Sequence, residues 1–232
     1  MHTARLSAGL FTAALLLGAP ASAQLKVEQG GGPLDDAFIL GVGPGEHVKL
    51  ISGIGGIKVL RGEQEEPNAT VTVNGVPLKK SMVGGYVVDK YDKSPIPGIG
   101  AGRTLKVVVK SGADTLTFDV PCPGDLKVTS PAEGTTVSAN QTVPVSWTPT
   151  LQKDGMSAPK LGALLFDTKM MQERPAGGFP TDITGKQSGE VKIPTGLNAT
   201  MAPVVRFYVP GQAKSGLRCS LVKRVGLKAA SK

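Results

Sequence analysis

The sequence predicts an all-β chain of two consecutive β-sandwich domains, on three observations. Glycine and proline are abundant, 31 and 18 among 232 residues, and aromatic residues make up only 4%. Short alternations of apolar and polar residues recur along the chain between turn dipeptides, while the spacing of an amphipathic helix is scarce. The length left after the N-terminal segment suits two units of about 100 residues, each able to bury a modest core.

Residues 1–23 contain Arg5, the apolar run FTAALLLGA and the small-residue exit Ala21-Ser22-Ala23. This is the pattern of a bacterial-type secretory signal peptide, cleaved before Gln24. The run is too short to span a bilayer, and no later stretch approaches the roughly 18 to 20 apolar residues that a spanning helix needs. No cysteine follows it to accept a lipid. The expectation is an exported protein, periplasmic or secreted, without a transmembrane segment and with domains at 24–121 and 122–232.

In the first domain, Gln24 to Glu28 alternates as a strand, and the Gly-rich, Asp-containing stretch to Gly45 reads as loop. His47 to Ile51 and Ile57 to Leu60 are strands on either side of SGIGG. ATVTV, then Asn74-Gly75, then Val76-Pro77-Leu78 reads as a hairpin, because Asn-Gly supplies the positive φ that a two-residue turn needs. Val71 and Val73 should face the core. Tyr86 to Val88 is a further strand. Thr104 to Lys110 and Thr115 to Val120 form a pair, with Leu105, Val107 and Val109 on one face, and Leu116, Phe118 and Val120 on one face of the partner.

Residues 121–148 close this domain and open the next. Strands are expected at Leu126 to Thr129, Val143 to Thr148, Leu161 to Asp167, Glu190 to Ile193, Val204 to Val209 and Leu217 to Leu221. The stretch SPAEGTTVSANQTVPVSWTP, with its turn and Trp147, resembles the opening of bacterial immunoglobulin-like and fibronectin type III-like modules. GEVKIPTGL and VVRFYVPGQAKSG resemble a later strand pair of the same modules. The resemblance is generic, strongest over 124–228 and weaker in ATVTVNGVPL and TLKVVVKSGADTLTFDV. It implies two tandem immunoglobulin-like or fibronectin type III-like sandwiches, with Trp147 in the core between the sheets and Phe207 or Tyr208 near the family's core tyrosine. It implies no activity.

Cys122 and Cys219 are the only cysteines, and an exported chain favours a disulfide between them. In an up-and-down succession of strands, the starts of the first and last strands share a pole only if the last strand is odd-numbered. The disulfide therefore requires a seventh strand, placed between Arg174 and Thr184.

The net charge of +8 is unevenly spread. Residues 24–122 hold 11 Lys plus Arg against 11 Asp plus Glu, whereas 123–232 hold 14 against 7. No acidic residue follows Glu190. Arg206, Lys214, Arg218, Lys223, Arg224 and Lys228 form a candidate basic patch for an anionic glycan or envelope surface. The competing reading is a solvated, solubilising face.

Other chemistry finds little footing. GVGPGE, GIGGIK and GIGAGR miss the G-x-G-x-x-G spacing, and none holds a G-K-[ST] triplet. His47 is the only histidine after Gln24, so a serine or cysteine nucleophile could draw on that imidazole alone, and no Cys/His metal cluster forms. No cofactor is expected. Asp35, Asp36, Glu63, Glu65, Glu66, Asp89 and Asp92 could supply a carboxylate pair for glycan hydrolysis or a calcium site, if any approach one another. Asn68, Asn140 and Asn198 head glycosylation triplets, which arise cheaply in a Thr-rich chain. Nucleic acid would want basic residues interleaved with exposed aromatics; Phe207 and Tyr208 stand beside Arg206, yet one of them must face the core, so nucleic acid is not the expected partner.

The expected function is a non-catalytic exported binding or structural module of the cell envelope, with a protein partner also compatible. The alternative is a glycan-active enzyme or carbohydrate-binding accessory protein. An outside alternative is a pilus-assembly chaperone-like protein, although its long alternating strand and cleft-lining basic pair are not found.

Overall fold

The computed structural model describes residues 24–29, 38–42, 48–52, 56–82, 84–89, 96–153, 157–169, 172–174, 181–198, 200–213 and 216–230. Residues 1–23, expected to be a signal peptide, lie outside them, as do Asp35, Asp36, His47, Asp92 and Lys214. Among the described residues the chain is all-β, with no helix. None of their elements is a helix able to cross a membrane.

The first eleven strands are β1 (Leu25–Gln29), β2 (Phe38–Val42), β3 (Val48–Ser52), β4 (Ile57–Arg61), β5 (Gln64–Glu65), β6 (Thr70–Val73), β7 (Val76–Pro77), β8 (Lys79–Lys80), β9 (Tyr86–Val87), β10 (Thr104–Ser111) and β11 (Asp114–Pro121). The rest are β12 (Lys127–Ser130), β13 (Thr136–Val137), β14 (Thr142–Thr148), β15 (Lys160–Asp167), β16 (Gln172–Arg174), β17 (Thr181–Asp182), β18 (Ser188–Lys192), β19 (Met201–Pro210), β20 (Cys219–Gly226) and β21 (Lys228–Ala229).

Two sheets build most of the first half, β1-β4-β9-β8 with β5 beside β4, and β11-β10-β6-β7. Asn74 and Gly75 both adopt left-handed backbone, φ 47° and 84°, which closes the β6–β7 hairpin as its dipeptide predicts. The Asn74 side-chain amide donates to the Pro97 carbonyl at 2.7 Å, and its Oδ1 accepts the Lys106 N–H at 2.8 Å. One side chain thus ties the turn to β10 and to the loop before it. Alternation puts Val71, Val73, Leu105, Val107 and Val109 inside. On β11 only Val120 of the expected trio is buried, while Leu116 and Phe118 are half-buried. That strand is a sheet edge with fewer neighbours to cover it.

Arg61 links the two sheets. Its Nε donates to Glu66 Oε2 at 2.8 Å, and its Nη1 lies 2.9 Å from Asp114 Oδ2. Glu66 also accepts the Asn68 N–H, so the buried carboxylate is fully engaged.

In the second half, β12-β14-β18 form one sheet, and β16-β15-β19-β20-β2-β3 with β17 beside β15 form the other. Trp147 on β14 meets Phe207 on β19 edge-to-face, with ring centroids 5.3 Å apart, so the sheets face each other across an aromatic contact. Both rings are buried, as expected for Trp147 and for one of the Phe207–Tyr208 pair. Tyr208 points to the opposite face. The strand expected between Arg174 and Thr184 is represented by β17 and, at the start of that window, by the end of β16.

The reading of residues up to Gly45 as loop is corrected by β2. Phe38 to Val42 pair in parallel with Cys219 to Lys223, and β3 adds outside β2. The glycines flanking FILGV disguise a strand whose stability comes from a partner far along the chain. The sheet of the second half consequently contains two strands from before residue 121. The last long strand also runs to Gly226, beyond the expected end at Leu221, because β19 supplies partners as far as Val204.

Cys122 and Cys219 are disulfide-bonded, with Cα atoms 4.9 Å apart. The Cys122 N–H donates to the Arg103 carbonyl, so the bridge ties the end of the first half's ladder to the start of β20. Gly211 packs against this joint so closely that a Cβ there would lie 2.1 Å from the Cys219 carbonyl oxygen.

Candidate functional site

β19 and β20 lie antiparallel with Arg206 opposite Arg224, and β15 places Gly162 opposite Arg206. Direct opposition puts these three on one face, the one turned away from Trp147. Tyr208 and Lys160 follow one pleat along, opposite each other on the same face. Two guanidiniums, an ammonium and a phenol therefore share this face of the large sheet, on which Val204, Ser220 and Val222 are buried. Both arginines are half-buried and Lys160 is exposed. Gly162 has no side chain, so the flank of Arg206 toward β15 is not covered from that position. Arg206 and Arg224 each already have an interaction within the protein.

The remaining predicted cations are dispersed. Lys223 precedes Arg224 in the strand and lies opposite Phe207, so alternation turns it to the other face of the sheet. Arg218 lies at the disulfide pole, where its Nη1 donates to Ser157 Oγ at 2.6 Å. Lys228 is on β21, in register with Thr136 at the opposite pole. The eight strand residues of β20 at about 3.3 Å each put roughly 26 Å of strand between Arg218 and Lys228. Lys214 lies outside the described residues. The structure thus brings together Arg206 and Arg224, adds Lys160 and Tyr208, and separates Arg218, Lys223 and Lys228. Lys160 and Tyr208 were not legible as site residues because cross-strand register, not sequence proximity, places them there.

Asp182 stands opposite Lys160 on β17 and accepts both the hydroxyl and the N–H of Thr184, at 2.7 and 2.8 Å. These bonds, chiefly the hydroxyl's, hold its carboxyl below the usual range, with Lys153 and Lys186 adding to the effect. The site therefore has one acidic neighbour at its border.

A groove of about 340 Å³ opens between the sheets beside this face, lined in part by Gly162, Ala163, Thr181, Glu190 and Lys192. Among the described residues, its lining carries one charge of each sign and no aromatic ring.

Of the described carboxylates of the first half that were candidates for catalysis or calcium, Glu66 bonds Arg61 and Asp89 pairs with Lys79, while Glu63 and Glu65 are exposed. Among the described residues no three His, Cys, Asp or Glu side chains converge as a metal site. No protein-family model matches this chain, and no curated protein sequence matches it.

Proposed function

We propose that this chain is an exported, non-catalytic binding module of the cell envelope that recognises an anionic glycan or envelope surface through Arg206 and Arg224. The observation that carries the reading is the direct opposition of these two arginines on the face of the large sheet turned away from Trp147. Two planar forks side by side suit carboxylate, sulfate or phosphate groups better than a lone cation does. The excess of cations after Glu190 adds a long-range attraction.

Export rests on the N-terminal 23 residues, and the module type on the strand partition. In the second half β12, β14 and β18 share one sheet, while β15, with β17 beside it, shares the other with β19 and β20. Immunoglobulin-like sandwiches divide their strands this way, which supports reading the second half as such a module. The disulfide suits an oxidising compartment.

Sedimentation of the chain with native envelope particles tests the reading. Binding in low salt and release as ionic strength passes about 0.15 M are expected; binding indifferent to salt argues against it.

A further inference from the structure

We propose that the β2–β3 hairpin is an exchangeable arm, and that its partner is a second copy of this chain. Gln29 at the end of β1 is the register partner of Ile57 at the start of β4, so residues 30–56 leave and re-enter the first sheet at adjacent points. Between these points the chain crosses to the other half and lays β2 along β20. Removing the excursion would leave the β1–β4 pairing uninterrupted, which marks the segment as an appendage of that sheet.

The arm fills a real site. Phe38 and Leu40 are completely buried, and the Phe38 N–H donates to the Arg218 carbonyl at 3.1 Å. Without β2, β20 would become the open edge of the large sheet, and unpaired strand edges attract strands. The sequence on both sides of the arm is glycine-rich: Gly30, Gly31 and Gly32 before it, Gly53, Gly55 and Gly56 after it.

Every copy of the chain carries both the arm and the edge it fits, and the ladder is the same whether the arm comes from its own chain or from another. Exchange between two copies keeps each strand pair and closes a two-fold dimer. The balance is then set by concentration. A tether of this kind gives its own arm an effective concentration of the order of millimolar, so exchange dominates when the chain refolds near or above that value, or when the tether is shortened.

Gly41 and Val222 are register partners and report the origin of the arm. A G41C chain and a V222C chain are mixed, each with its native disulfide formed, and refolded together near pH 6, where thiolate exchange is slow. The folded product is then oxidised. Refolding at about 1 mM should give a G41C–V222C covalent dimer, and refolding at about 10 µM should leave mostly monomer. The doubly substituted chain at the lower concentration should bridge within itself; its failure to bridge overturns the pairing on which the proposal stands. A mixture without the cross-chain bridge at either concentration overturns exchange; dimers of two like copies lack it in any case. Deletion of Gly30, Gly31 and Gly32 from the otherwise unaltered chain gives a separate reading. Its sedimentation should shift from monomer to dimer, and a folded monomer there contradicts the proposal.

Discussion

Phe38 and Cys219 are register partners across a parallel strand pair, and Cys219 is bonded to Cys122. The N-terminal arm, the end of the first half's ladder and the final long strand thus meet at one point. That point fixes the start of β20, and with it the register that puts Arg224 opposite Arg206.

The disulfide closes a loop with a sequence separation of 97. In the chain-entropy account its loss costs up to about 4.7 kcal/mol. The double replacement of Cys122 and Cys219 by Ala should lower the urea midpoint accordingly. An unchanged midpoint would show that the joint is held by packing alone.

Gly211 should not tolerate a methyl group. A Cβ would meet the Cys219 carbonyl oxygen at 2.1 Å and Pro123 Cδ at 3.1 Å, and neither can move without disturbing the joint. Gly211→Ala should cost about 1–3 kcal/mol in equilibrium unfolding, whereas Gly185→Ala, where no atom lies close, tests only backbone strain.

Glu66 gives the first half an acid-sensitive clamp. The Arg61 hydrogen bond, followed by that of the Asn68 N–H, holds its carboxyl below the usual range. Because the folded form binds the proton less readily than the unfolded one, this stability is fully present above the ordinary carboxylate range. It disappears as pH falls through that range and the lowered folded value. Glu66→Gln should be less stable than the parent at neutral pH, with a shallower loss on acidification. Parallel acid-denaturation curves for the two proteins would remove Glu66 from that role.

Phe207 supports the only tryptophan of the chain. Phe207→Ala should cost about 3–5 kcal/mol through the cavity it leaves. It should also shift Trp147 emission to longer wavelength, as water reaches a ring that is buried in the parent.

Local chemistry made much of this fold legible. The Asn74-Gly75 turn, the alternation of β10 and the burial of Trp147 each follow from a few adjacent residues. The disulfide followed from two cysteines in a chain whose first 23 residues read as an export signal. What escaped depends on distant partners. FILGV is a strand because residues near 220 pair with it, and its glycine-rich flanks gave no local hint of that. The basic residues illustrate the same limit: Lys223 and Arg224 are neighbours in sequence and lie on opposite faces, while Arg206 and Arg224 are far apart and adjacent in space. Only the register distinguishes a charge excess from a site.

The most direct test of anion recognition compares charge reversal at different positions. On an immobilised sulfated or carboxylated glycan, Arg206→Glu and Arg224→Glu should each weaken binding by about tenfold or more, equivalent to about 1.4 kcal/mol. Lys228→Glu, which changes net charge equally from the far pole, should have a much smaller effect. Equal loss in all three variants would mean that retention follows net charge alone, and would contradict a site built on Arg206 and Arg224.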